Sequence, residues 1–197
     1  MAMKRWMISF VILAACLAGC VPSLHELYTK DTLVYDPSLV GTWVEEKAIW
    51  QFTGDPNTKA YQLVITEQDE KRGPLESKLE AHLVELDGKR YLDLFPQKDV
   101  ELNVGDWFRT NLLRAHTFLK TEIKNGKLLL SVMDLDTVEK MIEKNPGLVK
   151  HEKTEDRIVL TASPKELQEF IKKNAAAEKF FGEPAELKRR GNESAAK

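Results

Sequence analysis

Cysteine is almost absent from this chain: there are two in 197 residues, Cys16 and Cys20. Everything after Cys20 lacks a thiol that could close a disulfide, complete a thiolate zinc site or act as a nucleophile. That long remainder must be stabilised by a core of its own, and it is large enough to bury one. No apolar run reaches the ~20 residues that a membrane-spanning helix needs. The longest, Trp6 to Leu17, has about a dozen, the length of a signal-peptide core. No sign of charge dominates: 29 Lys and Arg face 31 Asp and Glu, a formal net charge of −2. Interspersed signs and a mildly acidic balance argue against nucleic acid as a partner and against broad adsorption to anionic head groups. There is no G-x-S-x-G serine, no H-E-x-x-H and no phosphate-cradling glycine loop. The histidines are His25, His82, His116 and His151, and none has a second histidine at metal-ligand spacing. No catalytic residue, metal site or cofactor is read from the sequence, and the expectation is that the protein is not an enzyme. No internal repeat of fixed period occurs.

What is present begins at the N-terminus. Lys4 and Arg5 precede the apolar run, and Leu17-Ala18-Gly19-Cys20 closes it with small residues and a cysteine. This closure resembles the lipobox of bacterial lipoproteins. The resemblance implies that the Cys20 thiol receives a diacylglyceryl group, that the bond before it is cut, and that Cys20 becomes the first residue of a chain held by palmitate-type acyl chains. Two or more such chains give stable attachment where one is marginal. Cys16 then leaves with the leader, and loss of Lys4 and Arg5 takes the formal net charge from −2 to −4. The implied location is the cell envelope. Val21, in place of an aspartate, resembles an outer-membrane destination in cells with two membranes. On this reading residues 1–19 are a signal peptide, 20–35 the lipidated cysteine and a tether, 36–181 a single β-rich domain, and 182–197 a polar disordered tail.

Between tether and tail the pattern is that of strands. Val40 to Thr53 is rich in Val, Thr, Trp and Ile, with a bend near Glu46-Lys47. Ala60 to Glu67 alternates, with Tyr61, Leu63 and Ile65 on one face. Glu67 to Pro74 reads as a charged loop. Leu79 to Leu86 and Arg90 to Phe95 flank Asp87-Gly88, and Ala115 to Ile123 and Lys127 to Asp134 flank Asn125-Gly126. Both dipeptides are strong hairpin signals, because both turn residues must take positive φ. Pro96 to Thr110 looks like a loop with a short helical turn in Asp106 to Leu113. Asp136 is placed as the cap of a short helix stopped by Asn145-Pro146-Gly147. Arg157 to Thr161 is one more strand. Ser163-Pro164-Lys165-Glu166 is a capping box that starts a helix with Leu167, Phe170, Ile171 and Ala175 on one face.

The expected fold is therefore mainly β, an antiparallel meander with a C-terminal helix. Closing such a meander hides its edges. Val40-Gly41-Thr42-Trp43 resembles the G-x-W signature of lipocalins, as does the order of barrel strands followed by a helix. The resemblance implies a barrel or strongly curved sheet in which Trp43 plugs one end against an arginine near the last strand. The arginine nearest that strand, Arg157, precedes it instead of following it. A β-sandwich is the alternative architecture. Among polar residues, Asp93 stands out on an apolar strand; it pairs with Lys89, Arg90 or a histidine, or faces water, and the wet face is the favoured reading. His82 and His116 read as partly exposed strand residues. Trp43, Trp50, Phe52 and Trp107 belong by default to the core, with a ligand cavity as the sharper reading. Two functions remain: a lipid-anchored barrel that holds a small apolar ligand, or an accessory subunit that binds an envelope protein.

Overall fold

The computed structural model describes residues 20–98, 104–155 and 157–191; the expected signal peptide at 1–19 and the end of the expected tail at 192–197 lie outside the described residues. Among the described residues twelve strands form: β1 (Pro22–Ser23), β2 (Leu33–Val34), β3 (Gly41–Val44), β4 (Ala48–Asp55), β5 (Ala60–Asp69), β6 (Gly73–Leu86), β7 (Lys89–Pro96), β8 (His116–Lys124), β9 (Lys127–Val132), β10 (His151–Lys153), β11 (Ile158–Leu160) and β12 (Ala185–Arg189). Strands β3 to β9 are an uninterrupted antiparallel meander, and β12 pairs with both β9 and β3. The result is a closed eight-stranded antiparallel barrel of lipocalin-like form. Among the described residues three α-helices accompany it, α1 (Asp106–Thr110), α2 (Leu135–Lys144) and α3 (Pro164–Asn174).

The closing strand lies where the sequence reading puts a disordered tail. Ala185-Glu186-Leu187 alternates, and its apolar residues enter the barrel, but three basic residues follow at once and obscure the pattern. The expected charged loop at Glu67–Pro74 is also corrected. It is a hairpin in which β5 and β6 stay paired from Glu67↔Leu75 to Asp69↔Gly73. The carboxylate of Asp69 accepts the backbone N–H groups of Lys71 and Arg72, and the Arg72 guanidinium beside it holds it at about 2. The cap of α2 is Asp134, whose side chain accepts from the Thr137 N–H, and not Asp136. The capping box at Ser163 forms as expected, with the Glu166 carboxylate accepting from the Ser163 N–H at 2.8 Å.

Alternation along the strands builds two cores on the two faces of one wall. Trp43, Phe52, Leu63, Leu83, Leu92 and Leu128 fill the barrel. Val84, Tyr91 and Phe118, one residue out of phase, point outward and meet Leu167, Phe170 and Ile171 of α3 and Val138 and Ile142 of α2. The segment from Cys20 to Val34, expected to be a tether, is a docked strap. Strand β1 joins the edge of β8 that β9 leaves: Val132 pairs with Leu119, then Pro22 with Thr117 and Ser23 with His116. In the same way β2 pairs with Leu83 and Val84 of β6, past the point where β5 ends against His82. The strap thus completes pairings that the barrel strands leave open.

Candidate functional site

The barrel has one plugged end. The Trp43 side chain is wholly buried there, its indole N–H donates to the Leu39 carbonyl at 2.8 Å, and the Arg189 guanidinium lies over its ring at 4.3 Å from the centroid. Arg189 also donates to the carbonyls of Val40 and Ser38. The arginine of the plug therefore belongs to β12, not to the Arg157 region, which lies just before β11. Gly41 makes room for it: its φ is +130°, and a Cβ there would sit 2.7 Å from the Arg189 guanidinium. Gly41 and Trp43 are plain in the sequence, but their basic partner Arg189 lies in a Lys-Arg-Arg run whose charge hides the strand that carries it.

The opposite end is open. A cavity of about 260 Å³ enters it between the starts of β4, β6 and β8 and the ends of β5, β7 and β9, lined by Trp50, Ile65, Leu79, Leu94, Leu119 and Val132. Glu67, Ser77 and Thr117 supply the polar groups of the rim. Trp50 has its indole Nε1 buried without a hydrogen-bond partner among the described residues. Such a donor costs stability unless an acceptor reaches it. Phe52 lies deeper, in the core, and Trp107 is on the surface of α1. Cys20 lines this same mouth, held by a bridge to Asp134, with Val21 buried directly after it.

The histidines resolve into three situations. His25 is exposed, and His151 is half-buried with Nδ1 2.9 Å from the Val149 carbonyl. His82 and His116 come together on the outer wall, on either side of Asp93. The expectation that Asp93 faces water is overturned: it is 1% exposed. One carboxylate oxygen takes the His116 Nδ1–H at 2.7 Å, and the other accepts the backbone N–H of Leu27 at 2.7 Å. The Leu27 carbonyl in turn accepts from Gln168 of α3 at 2.8 Å. His82 is buried, contacts Glu80 at 3.4 Å and packs against the tilted Tyr28 ring at 4.2 Å between centroids. Burial, partly opposed by Glu80 and Asp93, holds the His82 imidazole below its ordinary value. Burial first, and then the Asp93 charge, pushes the Tyr28 phenol up. The carboxylate–imidazole pair has the form of a base and its orienter. Here both carboxylate oxygens are occupied, one in clamping the strap to the barrel wall through Leu27 and the other in tying β7 to His116 of β8. The signal that could have revealed this is the register: Asp93 faces His82 on one side and Phe118 on the other, beside the start of β8.

Comparison with protein-family models, with characterised proteins and with solved structures finds no match. No helix among the described residues is long and apolar enough to cross a membrane.

Proposed function

We propose that this chain is a lipid-anchored envelope protein, without enzymatic activity, that holds one small apolar ligand in the open mouth of its barrel. The observation that carries the reading is the cavity: about 260 Å³, apolar on its walls, closed below by the packed core, and entered beside Cys20. Its volume is just under the ~300–1,000 Å³ usual for ligand pockets, which suits a single acyl chain or a molecule of that bulk. Cys20 is the proposed attachment site, on the lipobox that precedes it. The location proposed is the periplasmic face of the outer membrane in a cell with two membranes.

The test is a titration with an environment-sensitive apolar probe. The parent protein is expected to bind it one to one and to release it to a fatty acid. Ser77→Phe, which places a ring at the rim, is expected to weaken binding at least tenfold while the fold persists. Absence of saturable binding by the parent would sink the ligand reading. Fractionation of cells carrying Cys20→Ser tests the anchor: the variant should lose its membrane attachment, and parent-like processing and attachment would refute it. The second reading, an accessory subunit that docks on an envelope protein, is favoured by one observation, the exposed apolar stretch of α1.

A further inference from the structure

We propose that the stretch from Trp107 to Leu113 is a docking wedge that inserts into a bilayer surface and seats the open mouth of the barrel on it. The proposal rests on the reading of Cys20 as the anchored residue. Trp107 is 86% exposed, Leu113 82%, Phe108 59% and Leu112 43%. Among the described residues only Leu24 and Ile123 are other large apolar side chains with comparable exposure, so this is a concentrated patch, and α1 buries none of its residues. Patches of this kind mark contact surfaces.

Three observations select a lipid surface as the occupant. The first is position. The loop springs from Pro96 and returns at Ala115, and both residues line the cavity whose rim holds Cys20. The second is the lack of slack. The chain is buried at Val21 and paired with β8 at Pro22 and Ser23, so acyl chains on Cys20 would hold the mouth within a few residues' reach of the bilayer, and the adjoining loop with it. The third is chemistry. Trp and Phe with Leu, flanked by Arg109 and Arg114, are the residues that favour the membrane–water interface. The foot of the wedge is fixed: the Arg114 guanidinium lies 5.1 Å from the Phe95 centroid, and Phe95 stacks on His116 at 4.3 Å. Because the chain as a whole carries no excess of basic charge, insertion is driven by apolar area, so it should occur on zwitterionic lipid and persist at high salt. A mouth seated this way lets an acyl chain pass between bilayer and cavity without crossing water.

The full chain, purified from cells that process it, is reconstituted into phosphatidylcholine vesicles after a fluorophore is attached at Leu113→Cys or, at the plugged end, at Lys124→Cys. Mass spectrometry of each sample reports whether Cys20 is acylated. Lipid carrying a nitroxide on its acyl chain is expected to quench the Leu113 label several-fold more than the Lys124 label, unchanged by raised salt. Adding Trp107→Ser with Phe108→Ser should bring the Leu113 label down to the Lys124 level. Weak and equal quenching at the two sites with Cys20 acylated would overturn the wedge and leave the anchor standing. So would quenching that survives the double substitution, or a Leu113 label hidden from aqueous iodide yet untouched by lipid, which would indicate a protein or second copy on the patch. If Cys20 carries no acyl group, the anchor fails alone. The labels are then placed in a Cys16→Ser, Cys20→Ser background with vesicles added; preferential lipid quenching at Leu113 still supports the wedge, and its absence overturns it.

Discussion

Single residues in this protein act where the barrel could not otherwise be closed or covered. Trp43 is the clearest: one side chain supplies apolar area, a hydrogen bond to Leu39 and a face for Arg189. Trp43→Ala is expected to cost ~3–5 kcal/mol, the range for large buried aromatics, which is a large share of a domain's stability. Chemical denaturation measures it, and a loss under about 1 kcal/mol, typical of a surface site, would show that the plug is not structural. His82 gives a pH-dependent case. Its folded-state value is lowered, chiefly by burial. As pH falls through the ordinary histidine value of about 6.5, the unfolded chain takes up a proton that the folded site still refuses, so stability falls with pH in that window. The groups around it are Glu80, Asp93, His116, Glu26 and the Tyr28 ring. His82→Gln should flatten this part of the profile of thermal midpoint against pH; an unchanged slope would assign it to other groups.

At the scale of elements, the hairpins were the most legible part of the fold. Asp87 and Gly88 take φ of +49° and +71°, and Asn125 and Gly126 take +53° and +72°, the paired positive values that the two dipeptides predict. Changing Gly88 or Gly126 to Val should cost ~1 kcal/mol or more, because a β-branched side chain tolerates that region poorly. A Cβ at either position meets nothing within 4 Å, so the cost would be conformational and not steric crowding. Unchanged thermal midpoints for both variants would contradict it. The capping box at Ser163 and the alternation of β5 were legible for the same reason: each is decided by neighbours in sequence. The elements that were not legible are those decided at long range. β1 and β2 are two residues each and are strands only because β8 and β6 have open edges. β12 is closed into the barrel by partners more than fifty residues away, Leu128 and Trp43 among them. Asp93 reads as a wet-face residue until the strap covers it, and the strap's path is not written in the local pattern.

At the scale of the whole molecule, the strap is fastened to the barrel by the pairing of β1 and β2, by the buried side chains of Val21 and Leu27 and by a few polar contacts, and the attachment matters for both proposals. The strap turns a loose leash into a short post, so that Cys20 sits at the mouth. Its central fastening is Leu27, whose N–H is taken by Asp93 and whose carbonyl is taken by Gln168. Asp93→Ala leaves the Leu27 N–H and His116 without their carboxylate, at a cost of roughly 1–3 kcal/mol for buried polar groups stranded in this way. Asp93 points away from the barrel interior, whose packing at this level comes from Leu92 and Leu94. The expected result is therefore local. Amide exchange from Val21 to Tyr28 should speed up by roughly ten- to a hundredfold, while the amides around Trp43 keep their protection. Gln168→Ala should produce the same pattern more weakly, since it removes a neutral donor to the Leu27 carbonyl and to the Thr29 and Thr32 hydroxyls and leaves the Asp93 carboxylate in place. Freed from the wall, the strap would let the barrel tumble on a tether of about a dozen residues, spanning up to ~40 Å when extended. The mouth would then lose its fixed height above an anchored Cys20, and uptake of an apolar ligand from vesicles should slow while binding from solution stays unchanged. If instead exchange rises equally throughout the barrel, strap and barrel fold as one unit, and the post is inseparable from the fold that carries it.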